Sequence, residues 1–559
     1  MRNATSPLAP RRTHTLSPTS LTFRTLMLAS LASASFILLP FSGHAQAPAK
    51  SSLPRIVQND GRYALLVDGE PYLMLGAQVN NSSAWPAMLP KVWPVAEQLN
   101  INTLEVPIYW EQFEPQQGSF DPSLLHILLS QARQHHVHLV LLWFGTWKNG
   151  SGHYTPPFIK LNEALVPHVV DAQGNKADSL SPFSDFALKA DSSAFAELMR
   201  DLKAADPQHT VLMVQVENEA GTYGTPRDYS PAAQRLFEGQ VPPIVLKAMQ
   251  KSAGTWREVF GDDADEYFYA YSVAHYIDQV AMAGKAQYGL PLYINVALRD
   301  PFHPGRAGTY DTGGATDNVI PIWKAAAPTI DVIAPDIYKS DYATYTRVLD
   351  LYHRPDNAMF VPETGSSPEY AHYFFAALGH QAIGFSPFGM DATGYVNAPL
   401  GTSRVTDEIL GPFALNYRIF GPMDKLVAKL NFEGKLHAVA EDPTAHMQIM
   451  DFGNWKARVS YGVPQFGNRE VTTGNTPPDG GVMVAQLGPD EFLVTGVHAR
   501  VDFDPTAQPG LKRQFVKVEE GFYQDGAWHF LRIWNGDQTD WGLNFTSVPQ
   551  VLHVYLATY

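Results

Sequence analysis

The sequence predicts a (β/α)8 barrel followed by an all-β sandwich. From about residue 73 to residue 386, eight short apolar runs alternate with longer amphipathic segments, an order typical of a (β/α)8 barrel with insertions. After about residue 410 the helical periodicity gives way to short alternating runs, punctuated by Gly, Pro, Asn and Asp. That second pattern favours a sandwich of antiparallel strands.

The first 45 residues are predicted to be a secretory signal peptide. Arg11, Arg12 and Arg24 precede an apolar run over residues 26–39, which is too short to span a bilayer comfortably, and small residues then end at Ala45. A twin-arginine signal and an uncleaved membrane anchor are the alternatives. Residues 46–56 are interpreted as a linker. The protein is therefore expected to be exported, to the periplasm or the medium.

A hairpin is expected at the start of the barrel domain, which is predicted over residues 57–405. Asp68-Gly69 separates two apolar runs, and Asp-Gly is a strong hairpin signal. The eight predicted barrel strands are Leu73–Gly76, Thr103–Pro107, His138–Trp143, Val211–Val216, Leu292–Asn295, Val332–Pro335, Ala358–Pro362 and Ala382–Ser386. The predicted helices between them include Leu124–His135, Ser193–Ala204, Ala264–Ala283 and Pro368–Gly379.

The sandwich is predicted over residues 406–559. Its alternating runs are His437–Glu441, Met447–Asp451, Val482–Gln486, Glu491–His498, Trp528–Trp534 and Val551–Tyr555. This region is expected either to bind sugar or to cover the barrel and support a homodimer, and the sequence leaves both open.

Composition and charge narrow the class of partner. The chain has 559 residues and a formal net charge of −15, which becomes about −19 once the four arginines of the leader are removed. Such a surface repels nucleic acid and anionic lipid, so neither nucleic acid nor, after processing, a membrane is expected as a partner. Cysteine is absent, which excludes disulfides, thiolate metal sites and a cysteine nucleophile. A neutral sugar is compatible with this composition.

Two predicted strands end in carboxylates. The fourth strand ends in Gln215, Glu217, Asn218 and Glu219, and the seventh ends in Glu363. Polar residues at the carboxyl ends of barrel strands face the active site, although a surface turn is the alternative for the fourth strand. Hydrolysis of an acetal needs a proton donor and a group that stabilises an oxocarbenium-like centre, and two carboxyl groups supply both. Glu219 and Glu363 are therefore the candidate catalytic residues.

The motifs resemble those of glycoside hydrolase family 35, within the large clan of retaining (β/α)8 glycosidases. Gln215-Val-Glu-Asn-Glu219 looks like the family's Q-x-E-N-E motif. Further similar positions are Asp68-Gly69-x-Pro71, Asn102-Thr103, Trp110, Glu114-Pro115, Gly118 and Asp121. The resemblance implies that Glu219 is the acid/base and Glu363 the nucleophile. It also implies that Asn218 holds the sugar 2-hydroxyl and that Tyr338 hydrogen-bonds the nucleophile, with packing as the alternative for Tyr338.

The second and third strands depart from the family pattern. Pro107 and Glu111 replace an expected Tyr and Asn, and the segment Leu141-Leu-Trp143-Phe-Gly-Thr-Trp147-Lys-Asn149 replaces the family's third-strand motif. Contacts to the sugar ring are therefore expected to differ. Glu111 and Asn149 are candidate contacts to hydroxyl groups, with a plain loop role as the alternative. Trp110, Trp143 and Trp147 are candidates for stacking on a sugar face, with a role in the core as the alternative.

The expected function is that of an exo-acting retaining β-galactosidase that trims plant-type oligosaccharides. This mechanism requires no metal and no organic cofactor. Another activity of the clan, such as that of an endo-glycanase, a β-glucosidase or an arabinosidase, is the first alternative. A non-catalytic carbohydrate-binding protein on a degenerate barrel is the second. The presence of both Glu219 and Glu363 argues against the latter.

Overall fold

The computed structural model describes residues 52–395, 405–445, 447–462, 472–506 and 510–559. The predicted signal peptide and the first part of the predicted linker lie outside these ranges. The strands are β1 (Arg55–Asn59), β2 (Arg62–Val67), β3 (Glu70–Tyr72), β4 (Met74–Gln78), β5 (Thr103–Tyr109), β6 (His138–Lys148), β7 (His168–Val170), β8 (Lys176–Leu180), β9 (Val211–Asn218), β10 (Leu292–Ala297), β11 (Val332–Ile337), β12 (Val361–Thr364), β13 (Gly384–Pro387), β14 (Leu436–Ala440), β15 (Met447–Asp451), β16 (Trp455–Tyr461), β17 (Gly481–Gly488), β18 (Glu491–Val497), β19 (Ala499–Pro505), β20 (Arg513–Gln524), β21 (Ala527–Ile533), β22 (Leu543–Phe545) and β23 (Val551–Thr558).

The α-helices are α1 (Trp93–Leu99), α2 (Trp110–Phe113), α3 (Ser123–Gln134), α4 (Pro157–Lys160), α5 (Asp185–Ala205), α6 (Pro231–Phe237), α7 (Pro243–Met249), α8 (Trp256–Phe260), α9 (Ala264–Lys285), α10 (Ile320–Ala326), α11 (Tyr342–Tyr352), α12 (Tyr373–Gly379), α13 (Asp407–Phe420) and α14 (Asp424–Phe432). In the ranges given above, none of these helices combines the length and the apolar character needed to cross a membrane.

Eight parallel strands close into a barrel, as the sequence predicts. The order around the barrel is β4, β5, β6, β9, β10, β11, β12 and β13, with β13 pairing back onto β4. The strands β5 and β9 are buried along their whole length, because the packed interior covers one face and the helices cover the other. All eight predicted strands are present, so the predicted fold class is confirmed.

The Asp-Gly hairpin forms between β2 and β3. Asp68 and Gly69 both adopt left-handed backbone conformations, with φ of 52° and 86°, as a two-residue hairpin turn of this type requires. With β1 the pair makes a three-stranded sheet. The strand β1 begins at Arg55, inside the segment interpreted as a linker.

Two helices lie between the barrel and the sandwich along the chain. The hydroxyl of Tyr417 in α13 lies 2.7 Å from the backbone oxygen of Gly76 in β4 and 2.9 Å from that of Phe385 in β13. These are the first and last strands of the barrel, so α13 ties together the two strands whose pairing closes it. The helix α14 packs against β2 and β3.

From β14 onwards the C-terminal region consists of two antiparallel sheets, which confirms the predicted fold class. The predicted range of 406–559 begins too early, because α13 and α14 lie at its start. A six-stranded sheet has the order β14-β17-β18-β23-β20-β21, and a four-stranded sheet has the order β15-β16-β19-β22. Their facing side chains form a separate apolar core that includes Trp455, Phe492 and Phe503. The opposite face of the six-stranded sheet contributes Met483, Leu493 and other residues to the core shared with the barrel.

Candidate active site

Three carboxylates meet at the carboxyl ends of the barrel strands. Glu363 lies in β12, Glu219 follows β9 directly, and Asp336 lies in β11. One oxygen of each group lies within 4.8 Å of an oxygen of the other two. Glu219 and Glu363 are 144 positions apart in the sequence, so it is closure of the barrel that brings the two candidate catalytic groups together.

Two hydrogen bonds hold the carboxylate of Glu363. The hydroxyl of Tyr338 donates to its Oε1, and Nε2 of Gln78 donates to its Oε2 at 2.9 Å. Glu363 and Gln78 are buried. Tyr338 therefore lies where the family resemblance places it, and Gln78 is a second donor that sequence reasoning missed. Donors on both oxygens fix the orientation of this carboxylate.

Glu219 is placed by an unusual backbone conformation. Its φ is +44°, in the left-handed region that a glutamate rarely occupies, and such conformations cluster at functional sites. Its backbone N–H donates to Oδ1 of Asn295 at 2.9 Å, and Nδ2 of Asn295 donates to Oδ2 of Asp336 at 2.7 Å. Asn295 of β10 thus connects the end of β9 to β11.

Burial and like charge change the protonation of these carboxyls. Burial and, to a lesser extent, the charge of Glu363 raise the pKa of Glu219 to about 7, and the charge of Lys148 opposes the change. Burial also raises the pKa of Asp336 well above its usual range, with added contributions from Glu363 and Glu219. The side chain of Glu217 lies beside that of Asp191, next to Gly145.

A lysine joins Asn218, which precedes Glu219 directly, to Asn149, which follows β6. Nζ of Lys148 donates to Oδ1 of Asn218 at 2.8 Å and also to Oδ1 of Asn149. Nδ2 of Asn218 is buried and makes no hydrogen bond within the part of the chain that the structure describes. Asn149 is exposed. Asn218 therefore has an N–H available for a ligand hydroxyl, and Lys148 fixes its orientation.

The three tryptophans proposed as sugar contacts are buried behind the site. Trp110 and Trp143 are 0% exposed and Trp147 is 1% exposed, so no ring has a free face on which a sugar could stack. Their ring N–H groups bond to Glu114, Asp191 and the backbone oxygen of Leu180, respectively. The prediction of sugar stacking is therefore corrected for all three, and their core alternative holds.

Glu111 lies in an ion pair on the protein surface. Its Oε2 is 2.7 Å from Nζ of Lys160, and both side chains are about 37% exposed. The structure therefore does not bring Glu111 into direct contact with the carboxylate cluster. Its role as a contact to a sugar hydroxyl stays a prediction.

Four residues in and around the carboxylate cluster are not among the candidates selected from the sequence. Gln78 and Lys148 end β4 and β6, and Asn295 and Asp336 lie near the ends of β10 and β11. Each is a polar residue at the carboxyl end of an apolar strand, the same signal that identifies Glu219. Applied to every strand rather than to two, that rule selects all four.

A further carboxyl is buried in the barrel interior. Glu105 of β5 is 0% exposed, and the hydroxyl of Tyr293 donates to its Oε2 at 3.0 Å. Burial and, to a lesser extent, the charge of Glu363 raise the pKa of Glu105 to about 8, although the hydrogen bond from Tyr293 opposes the change. Glu105 is therefore expected to be neutral near pH 7, so that it adds no negative charge near Glu363.

Comparison with known proteins assigns no family to the whole chain. A family model described as "Domain of unknown function (DUF5597)" matches residues 413–546, from α13 into the sandwich. The match covers less than half of the chain. A search of curated proteins finds no match.

Solved structures of enzymes that act on carbohydrates are distantly similar. A β-galactosidase from Bacillus circulans sp. alkalophilus has 14% identity and a TM-score of 0.46, over 64% of this chain and 57% of its own. A β-galactosidase from Marinomonas ef1 has 13% identity and a TM-score of 0.46, over 64% of this chain and 61% of its own. The catalytic domain of a β-amylase from Paenibacillus polymyxa has 10% identity and a TM-score of 0.45, over 61% of this chain and 96% of its own. This chain spans less than two thirds of the two β-galactosidases, and likeness at this level assigns no activity.

Proposed function

We propose that the protein is a retaining glycoside hydrolase that uses Glu363 as its nucleophile and Glu219 as its acid/base. The observation that carries this proposal is the spacing of the two carboxylates. Oxygens of Glu219 and Glu363 lie within 4.8 Å of each other. Retaining enzymes separate their carboxyl groups by about 5–5.5 Å, whereas inverting enzymes need about 6.5–9.5 Å to admit a water molecule. The short spacing favours direct attack by a carboxylate.

The reaction is a double displacement. Glu363 attacks the anomeric carbon while Glu219 gives its proton to the departing oxygen, and the glycosidic bond breaks. In the second step Glu219 removes a proton from water, which displaces Glu363 and releases the sugar with its original configuration. Hydrogen bonds from Tyr338 and Gln78 support the carboxylate of Glu363. The raised pKa of Glu219 supports its role as an acid near neutral pH.

The finer proposal is an exported, exo-acting β-galactosidase that releases terminal galactose from plant-type oligosaccharides. It rests on the resemblance of Gln215-Val-Glu-Asn-Glu219 to the family motif and on the free N–H of Asn218, which suits a sugar 2-hydroxyl. Activity on glucosides, arabinosides or internal bonds is the alternative. A panel of nitrophenyl glycosides separates these proposals: we expect turnover of the β-galactoside, and turnover of only a β-glucoside or an arabinoside would contradict the finer proposal.

The carboxylate mechanism is tested by replacing the nucleophile. We expect Glu363→Gln to abolish turnover, because an amide cannot form the glycosyl ester. Glu369→Gln is the matched control, since Glu369 is exposed six residues further along the chain. Initial rates on the nitrophenyl glycoside, together with circular dichroism to check the fold, measure both. Unchanged turnover by Glu363→Gln would exclude the mechanism, and activity is also expected to survive dialysis against a chelator.

A further inference from the structure

Two more carboxyl groups are buried behind the proposed catalytic pair. Asp191 of α5 and Glu217 of β9 are 0% and 1% exposed, and Oε1 of Glu217 and Oδ1 of Asp191 lie 2.7 Å and 3.0 Å from the point where a Cβ on Gly145 would stand. Two ionised carboxylates offer only acceptors, so a hydrogen bond between these neighbouring oxygens requires a proton on one of them. The double displacement uses neither group, and the pair therefore points to a separate role.

The partners of Asp191 identify it as the ionised member of the pair. Its Oδ1 accepts from the ring N–H of Trp143 at 2.8 Å. Its Oδ2 accepts from Thr146 twice, from the backbone N–H at 3.1 Å and from the hydroxyl at 2.6 Å. The hydroxyl of Tyr276 lies 2.7 Å from Oγ1 of Thr146, and since Thr146 gives its proton to Asp191, Tyr276 must donate to Thr146. Every donor in this network is directed towards Asp191.

The partners of Glu217 identify it as the protonated member. Its Oε2 accepts from the backbone N–H of Trp147 at 2.6 Å. Its Oε1 has no donor in the ranges that the structure describes, so this oxygen is free to carry the proton. Burial raises the pKa of both groups, the charge of Asp191 raises that of Glu217 further, and the bond between them lowers that of Asp191.

The pair lies where β6 and β9 fall out of register. Trp143 pairs with Val216 and Lys148 pairs with Asn218, so the four residues between Trp143 and Lys148 lie opposite Glu217 alone. Glu217 itself has a left-handed backbone, with φ of +63°. Such a conformation persists only where surrounding contacts enforce it. The hydrogen bond from the backbone N–H of Trp147 and the close approach to Asp191 hold Glu217 in this conformation.

We propose that Glu217 is a neutral carboxylic acid that donates its proton to Asp191, and that this bond positions Asn218 and Glu219 at the mouth of the barrel. The assignment of the proton rests on the hydrogen-bond network alone, whereas the consequence for Glu219 rests on the proposed function. Glu217 and Asp191 are positioning residues, because both side chains are buried. Titratable groups that face the pair are Tyr276 from α9 and Glu114 beside α2, and Lys148 from β6 bonds the neighbouring Asn218.

Carboxyl-to-amide substitutions test which of the two carboxyl groups carries the proton. Glu217→Gln keeps a donor towards Asp191 and an acceptor for Trp147, so we expect kcat within about tenfold of the wild type. Glu217→Leu keeps neither the donor nor the acceptor and should lower kcat much more than the conservative variant Glu217→Gln. Asp191→Asn turns an N–H towards groups that are themselves donors. This substitution should lower kcat about 100-fold, which is the equivalent of leaving one buried donor unsatisfied.

The dependence of melting temperature on pH tests the same assignment without any substrate. A carboxyl whose pKa is raised in the folded state stabilises the fold fully below its unfolded pKa of about 4.3, and this stability is lost as pH rises towards the folded pKa. Glu217→Gln cannot lose its donor, so its melting temperature relative to wild type should increase steadily above about pH 4.3.

Several results would overturn the proposal. The first is a difference in melting temperature between Glu217→Gln and the wild type that does not change with pH. The second is an Asp191→Asn variant that keeps its activity while Glu217→Gln loses it. The third is an equal effect of Asp191→Asn and Glu217→Gln on kcat and melting temperature. If the wild type itself hydrolyses no glycoside, the proposed function fails, yet the melting curves still decide where the proton resides. An Asp191→Asn chain that does not fold leaves the Glu217→Gln curve as the deciding measurement.

Discussion

The ionisation of Glu219 sets the pH range in which the proposed reaction proceeds. Burial and the charge of Glu363 raise its pKa to about 7, and the protonated form is the one that serves the first step. As pH rises through that value the acid is lost. We therefore expect kcat/KM to fall about tenfold per pH unit above about 7. A pH profile with a slow-leaving alkyl glycoside measures this limb, and a flat profile to pH 9 would contradict the assignment.

The charge of Lys148 provides a second test at the residue scale. Lys148 stabilises the ionised form of Glu219 and lowers its pKa, so removing that charge should raise the pKa. Lys148→Met is expected to shift the alkaline limb to higher pH while lowering kcat, because Asn218 also loses its hydrogen bond. Lys160→Met is the matched control, since Lys160 pairs with Glu111 on the surface. A limb that stays in place in Lys148→Met would refute this role.

At the level of single residues, some site positions could be predicted from the sequence and others could not. Glu219, Glu363 and Tyr338 were predicted from strand ends and family resemblance, and the structure brings all three together. The three tryptophans were misassigned because residue type does not reveal which way a ring points. At Trp143 and Trp147 the out-of-register segment of β6 interrupts the regular alternation of strand side chains. Gln78 lies 285 positions from its partner Glu363, a distance that local patterns do not bridge.

At the scale of elements, α13 stabilises the closure of the barrel. The buried hydroxyl of Tyr417 contacts backbone oxygens of both β4 and β13. Tyr417→Phe removes that donor and leaves the oxygens of Gly76 and Phe385 without it, which should lower the free energy of unfolding by about 1–3 kcal/mol. Urea denaturation measures the change. Tyr223→Phe is the control because Tyr223 is 68% exposed, and an equal effect of both variants would contradict the role of α13.

The elements themselves were predicted unevenly. The barrel strands are continuous apolar runs, since both faces are buried, and all eight were found. In the sandwich, β16, β19, β20 and β22 were missed. The strand β20 carries charged residues along exposed and half-buried positions, which hides its alternation, and β22 has only three residues. A strand with one exposed face, as in the sandwich, is therefore harder to recognise from its sequence than a barrel strand with both faces buried.

At the scale of the whole molecule, the barrel and the sandwich share one core. Met483, Leu493 and Val551 of the six-stranded sheet belong to the same apolar cluster as the barrel residues. Loss of the sandwich would expose this surface, so residues 52–559 are expected to unfold as one cooperative unit. Differential scanning calorimetry should record a single transition. Two transitions, with activity lost only in the second, would mean that the sandwich unfolds independently of the active barrel.

The most direct test of the account is to trap the glycosyl intermediate on the protein. A 2-deoxy-2-fluoro-β-galactoside with a good leaving group slows the second step more than the first, so the ester accumulates. Mass spectrometry of the intact protein, followed by peptide mapping, should find one fluorosugar attached to Glu363 and none in Glu363→Gln. Hydrolysis of the β-galactoside with inversion of configuration, or an adduct on a residue other than Glu363, would contradict it.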